Sequence, residues 1–218
     1  MNSSDEAAPG ADDRHPPPRA TRRRGTALTR AIYLTTLEEL ADSSFEELSF
    51  DKIAKKAGAG KASLYRRWNT PAELVLDALT DSDCGFAATP DPATGSLRED
   101  LLTLLNGFAR ALDQPHGRAL RPLMTQRGRH PRLYDEVFRR VVEPRQQLIL
   151  HVLRAAADRG EADPAAVTAR VAALGPRLVI AEHIHTGAVP AAETAAIVDE
   201  VILRLTRLTR PGSPDPSS

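Results

Sequence analysis

Apolar side chains return every three or four positions through most of this 218-residue chain and seldom alternate. They run along Leu97, Leu101, Leu104, Leu105, Phe108 and Leu112; along Leu133, Val137, Val141, Leu148 and Val152; along Val167, Val171, Leu174 and Leu178; and along Val198, Val201, Ile202, Leu205 and Leu208. A helix of 3.6 residues per turn gathers such positions on one face, whereas a strand gathers every second residue. Each stripe is therefore expected to be one amphipathic helix, and the fold class to be all-α. An alanine- and leucine-rich body with only 4% aromatic residues points the same way.

Helix ends are marked too. Thr70 with Pro71 and Glu73, and Ser96 with Glu99, have the form of capping boxes, in which hydroxyl and carboxylate accept from amides that a first turn leaves without partners. Asp163 before Pro164 marks a further start, and Pro144 is expected to kink or divide the helix that contains it. The first 25 residues hold Pro9, Pro16, Pro17 and Pro18 and almost no large apolar side chain, too little to offset the entropy of ordering. The expected organisation is a disordered basic arm over 1–25, an N-terminal helical domain over 26–84, a C-terminal helical domain over 85–210 and a disordered tail over 211–218. No apolar run reaches the ~18 to 20 residues that cross a bilayer, and Met1 to Asp13 lack the form of a secretory signal, so a cytoplasmic location is expected. A single cysteine, Cys84, excludes an internal disulfide and a cysteine-rich zinc module.

Whole-chain charge is uninformative, because 29 Lys+Arg balance 29 Asp+Glu. A binding surface, however, feels charge only within a Debye length of ~8 to 10 Å. Residues 1–13 carry four acids and no base, residues 14–69 carry twelve bases against six acids, and the rest is mildly acidic. All four lysines, Lys52, Lys55, Lys56 and Lys61, fall within ten positions. On charge alone this cluster is either a nucleic-acid footprint or a solvated helix face.

The stretch from Ser49 to Trp68 decides between them. Ser49 suits an N-cap and Asp51 the first helical turn, where the dipole favours negative charge. Ile53, Ala54 and Ala57 form an inward face, and Gly58 can end the helix in the left-handed conformation. A second short helix begins near Lys61, with Leu64 and Trp68 facing inward. Two short helices around a glycine-containing turn make a helix-turn-helix. The outer side of the second one, with Lys61, Ala62, Ser63, Tyr65, Arg66 and Arg67, offers charges, hydroxyls and a small methyl to a major groove.

With Ile53-Ala54, Ala57-Gly58, Leu64-Tyr65, Trp68 and Glu73-Leu74 at these spacings, the segment over roughly 26–80 resembles the DNA-binding domain of TetR-family transcriptional regulators. The resemblance implies a homodimer on a palindromic operator in double-stranded DNA, usually as a repressor released by a small-molecule effector, with no cofactor and no catalysis. It implies base reading by Lys61, Ala62, Ser63 and Arg66. Phosphates would be held by Ser49, Lys52, Lys56, Tyr65, Arg67 and Thr70, with Arg22, Arg23 and Arg24 as a DNA arm. Three positions depart from the family pattern. Ser44 stands where a glycine usually closes the first helix, Gly60 replaces a serine N-cap, and Pro71 replaces a phosphate-binding lysine.

Elsewhere chemistry is sparse. Gly58, Gly60 and Lys61 lack phosphate-loop spacing, and Ser49 with Lys52 forms an SxxK better explained by capping. Phe108, Met124, Gln146, His151 and Arg177 are candidate lining of an effector pocket, Gln146 and His151 being polar groups at apolar helix positions. His183 and His185 diverge by about 200° on a helix, so no shared metal is expected. An enzyme would need a nucleophile and base, a metal motif or a cofactor loop, and none is present. A DNA-binding protein without sequence choice shares every feature above, and a salt titration on specific and random DNA separates the two. If the acidic residues 1–13 moderate nonspecific binding, their deletion raises affinity for random DNA in a fluorescence-anisotropy titration; unchanged affinity refutes the idea.

Overall fold

The computed structural model describes residues 19–86 and 89–207, with side chains described from residue 25 onward. Every regular element in that range is helical. Helix α1 (Arg19–Asp42) starts inside the stretch expected to be a disordered arm, so residues 19–25 are helical. Once a helix is nucleated each added residue gains a hydrogen bond, and arginine and alanine propagate it well. The side chains of Arg22, Arg23 and Arg24, and all of residues 1–18 and 208–218, lie outside the described residues. Ser43 closes α1, its amide and hydroxyl both donating to the Glu39 carbonyl at 3.0 and 2.7 Å, so the turn at Ser44 forms without a glycine. A single 3-10 turn (Phe45–Glu47) leads to α2 (Phe50–Ala57), α3 (Lys61–Arg67) and α4 (Pro71–Thr80).

The second half opens with α5 (Leu97–Leu112), α6 (Pro115–Thr125) and α7 (Pro131–Val137). A π-helical turn, Phe138–Val142, joins α7 to α8 (Glu143–Asp158). Pro144 sits in the first turn of α8, directly after that widened turn. Its ring has no N–H to give and would clash with a carbonyl four residues back, which the wider turn displaces. Helix α9 (Ala169–Ala172) and α10 (Leu174–Thr186) follow, then α11 (Ala191–Ala196), a π-helical turn (Ile197–Ile202) and α12 (Leu203–Leu205).

Several expectations shift. Asp163-Pro164 caps only a 3-10 turn (Pro164–Ala166), and the next helix starts at Thr168, whose hydroxyl accepts from Val171 N–H, so Val167 precedes the helix it was expected to stripe. Leu208 lies outside the described residues. At Ser96 only half of the capping box forms: the hydroxyl takes the Glu99 amide at 3.5 Å, while the Glu99 carboxylate pairs with Arg98. The Ser96 amide, which the Glu99 carboxylate would have taken, donates instead to Thr94 Oγ1 at 3.3 Å, and Glu161 takes the next amide, that of Leu97, at 2.7 Å. His151 is exposed and faces Asp91 at 3.2 Å, so it belongs to no apolar face.

Burial divides the molecule into two cores that do not follow chain order. The first gathers Ile32, Leu37, Leu40, Ile53, Leu64, Trp68, Leu74 and Leu79 from α1–α4, together with Leu120 and Leu123 of α6 and Val137 of α7. The second gathers Leu101 and Leu105 of α5, Ile149 and Leu153 of α8, Val179 of α10, and Val198 and Ile202. Phe108 packs against both. The chain passes from the second core back to the first at Gly117, where an added Cβ would lie 2.1 Å from the Ala111 carbonyl oxygen. Gly107, in the middle of α5, has open space at the same position. Gly117→Ala should therefore destabilise by about 1–3 kcal/mol and Gly107→Ala should stabilise by up to about 1 kcal/mol, read from chemical denaturation midpoints.

Candidate nucleic-acid interface and internal cavity

The sequence between Ser49 and Trp68 folds as its capping residues dictate. Ser49 Oγ accepts from the Lys52 amide at 3.3 Å, and Gly58 ends α2 in the left-handed conformation with φ 64°. Gly60 precedes α3 with no side chain to cap it. Ile53 and Ala54 from α2, and Leu64 and Trp68 from α3, are buried in the first core. Opposite Leu64, about 200° round the helix, Ala62 and Arg66 are exposed, and Ser63 is half-buried beside them. Tyr65 is 61% exposed, its ring edge-on to Phe50 with centroids 4.9 Å apart, so the phenol stands outward on a fixed base.

Three of the predicted contact residues, all lysines, are held by nearby acids. Lys61 Nζ lies 2.7 Å from Asp51, Lys56 Nζ 2.8 Å from Glu39, and Lys52 Nζ 3.9 Å from Glu47. All three lysines are exposed, so these pairs orient side chains more than they stabilise the fold. The hydrogen bond to Glu39 raises the Lys56 pKa, which keeps that ammonium charged. Arg67 donates to Thr29 Oγ1 at 2.8 Å and its guanidinium lies 4.4 Å from the Trp68 ring centroid, tying the recognition helix to α1. Trp68 Nε1 donates to Asp77 Oδ2 at 2.8 Å. Thr29 and Asp77 had no sequence signal: each lies outside the motif and is recruited by packing. Thr70 caps α4 by accepting from Glu73 N–H, while the Glu73 carboxylate accepts from Asn69 N–H at 2.8 Å. The caps at Ser49 and Thr70 use oxygen lone pairs, which leaves both O–H groups able to donate to a phosphate.

A cavity of about 480 Å³ opens between the two cores. Four of the five candidate lining residues, Phe108, Met124, Gln146 and Arg177, border it; His151 does not. Its walls come from α5, α6, the α7–α8 segment and α10, with Phe86 from the segment after α4. Burial pushes the His116 pKa below its ordinary value, so that imidazole is neutral at pH 7; its ring meets Phe86 edge-on at 4.5 Å. His183 and His185 do not converge: His183 is buried with Nε2 2.9 Å from Asp113 Oδ1, and His185 is exposed. Among the described residues no group of three potential metal ligands gathers, and no helix is long and apolar enough to cross a membrane.

Comparison with known proteins agrees over both halves. The profile described as bacterial regulatory proteins, tetR family, matches residues 32–78, and that of the tetracyclin repressor-like C-terminal domain matches residues 91–201. An uncharacterized HTH-type transcriptional regulator of Mycobacterium bovis is 37% identical over 180 residues, covering 82% of this chain and 88% of its own. A DNA-binding transcriptional repressor TetR of Mycobacteroides abscessus is 31% identical over 140 residues, covering 64% of this chain and 73% of its own. Among solved structures, the TetR family transcription regulator SCO0332 superposes with a TM-score of 0.57 at 25% identity, over 80% of this chain and 96% of that one. A HlyIIR mutant protein with one segment substituted by a linker shares the fold with a TM-score of 0.62 at 10% identity, over 81% and 97%. The chain belongs to the TetR family of helix-turn-helix, DNA-binding transcriptional regulators.

Proposed function

We propose that the protein is a ligand-responsive repressor that binds a palindromic operator as a homodimer and releases it when a small molecule fills the cavity between its cores. Like other regulators of its family it is not an enzyme. The position of the cavity carries this reading. One wall is α6, through Leu120 and Met124, and α6 also packs along α1. Helix α1 is in turn tied to the recognition helix by the Arg67–Thr29 hydrogen bond. A ligand shifts such an assembly only by binding one arrangement better than the other, and a cavity whose wall is a shared helix supplies that difference. The relative named as a transcriptional repressor favours repression as the sign of control.

On the DNA, Lys61, Ala62, Ser63 and Arg66 read base edges, Lys61 exchanging Asp51 for an acceptor such as guanine O6 or N7. Ser49, Lys52, Lys56, Tyr65, Arg67 and Thr70 hold phosphates, and Arg22 to Arg24 extend the contact along the duplex. Two such heads meet half-sites one helical turn, about 34 Å, or a multiple apart. Dimer formation is assigned to the last helices, as in the family's pattern, where Ile184 of α10 is 60% exposed and Leu205 of α12 50% exposed.

Once the operator has been selected from random DNA, Tyr65→Ala should weaken binding to every sequence by about fivefold. Lys61→Ala should in addition relax base preference by about 1–3 kcal/mol at one position of each half-site. Gel-shift titrations on operator and random DNA read both, and wild-type affinity in both variants refutes the assignment. Ile184→Glu should convert dimer to monomer in sedimentation velocity and abolish operator binding while leaving helical circular dichroism intact; a dimeric variant refutes the interface.

A further inference from the structure

The cavity is apolar and aromatic over most of its wall, with Phe86, Phe108, Tyr134 and Phe138 among its lining, and its size is that of a site for a drug-sized molecule. Its charged groups are all of one sign. Arg145, in the first turns of α8, and the exposed Arg177 of α10 line it, and no Asp or Glu does among the described residues. His116 adds no charge at pH 7, because burial lowers its pKa. The Arg145 guanidinium lies 4.6 Å from the Phe86 ring centroid, and its Nη1 donates to the Val141 carbonyl at 2.6 Å, which fixes the planar fork against the wall. Burial depresses its pKa to about 10, still far enough above neutrality to keep it protonated.

Such a wall discriminates among ligands. A neutral apolar guest strips solvent from a part-buried guanidinium and returns no acceptor, and an amine meets like charge; both outcomes cost affinity. A carboxylate replaces the lost water with charge-assisted hydrogen bonds, which gain strength as the guest excludes solvent. We propose that the cavity binds an organic anion, a carboxylate on an aromatic or aliphatic body, with Arg145 as the residue that holds the carboxylate and Arg177 adding to the positive field. This rests on the reading of the cavity as a ligand site and specifies the chemistry of its occupant.

Isothermal titration of the full chain with matched probe pairs, naphthylacetate against naphthylacetamide and decanoate against decanamide, isolates the charge because each pair shares one body. At least one acid should bind about tenfold or more tightly than its amide. Arg145→Gln should shrink that gap to about twofold, and Arg145→Lys, which keeps the charge but not the fork, should retain part of it. Folding of each variant is checked by circular dichroism, and if Arg145→Gln does not fold the Lys variant carries the comparison, with a reduced gap expected. Equal affinity of acid and amide in both wild-type pairs, or an undiminished gap in the folded variant, overturns the proposal. Acid-selective binding that leaves DNA affinity unchanged upholds it while refuting ligand-responsive repression, so the two failures are distinguishable.

Discussion

At Gly117 the backbone at the start of α6 presses so closely on the end of α5 that no side chain fits between them. This contact redirects the chain. Helix α5 belongs to the second core, and without so tight a reversal α6 could not return to lie along α1 in the first. The two cores consequently share a boundary formed by α6, and Phe108 packs on both sides of it. Close-packed interiors move as discrete repackings rather than by continuous deformation, so a boundary helix is where occupancy of a cavity can become a change of shape.

The DNA-facing unit depends on a second fixed point, the buried indole of Trp68. Its N–H is satisfied by Asp77, its ring lies 6.0 Å from that of Tyr33 of α1, and Arg67 stacks on it. A short helix such as α3, only seven residues long, has little stability of its own. Its orientation comes from Leu64 and Trp68 in the core, and the exposed side is thereby set for a groove. The Lys–acid pairs around it then hold long flexible side chains near useful positions at little cost in stability, because exposed pairs exchange readily with other anions such as phosphates.

Much of this was legible in the chain. The Ser49 and Thr70 caps, the left-handed Gly58 and the inward Ile53, Ala54, Leu64 and Trp68 follow from rules that act within a turn or two of helix. The same local rules failed where a distant group intervened. Ser96 and Glu99 read as a complete capping box, but Thr94 takes the Ser96 amide and Glu161, from a distant helix end, takes that of Leu97. His151 reads as a polar group on an apolar face, but it is exposed and lies 3.2 Å from Asp91 on the solvent side. Asp163-Pro164 reads as the start of a helix, but it caps only a 3-10 turn, and the helix starts after a second cap at Thr168. At Ser96 and His151 the element type was right and only the partner was missed, whereas at Asp163-Pro164 the element itself is a 3-10 turn.

The sequence by itself therefore determined the all-helical class, the helix-turn-helix and the family, since these rest on spacing, capping and short-range charge. Tertiary structure decided which helices share a core, that α6 and α7 join the DNA-binding unit, and that Phe86, Arg145 and Arg177, far apart in the chain, border one cavity. The physical reason is that a helix's apolar stripe states only that the face must be covered. What covers it is chosen by close packing among all the stripes at once, and that choice is encoded in contacts such as the one at Gly117 that no local pattern announces.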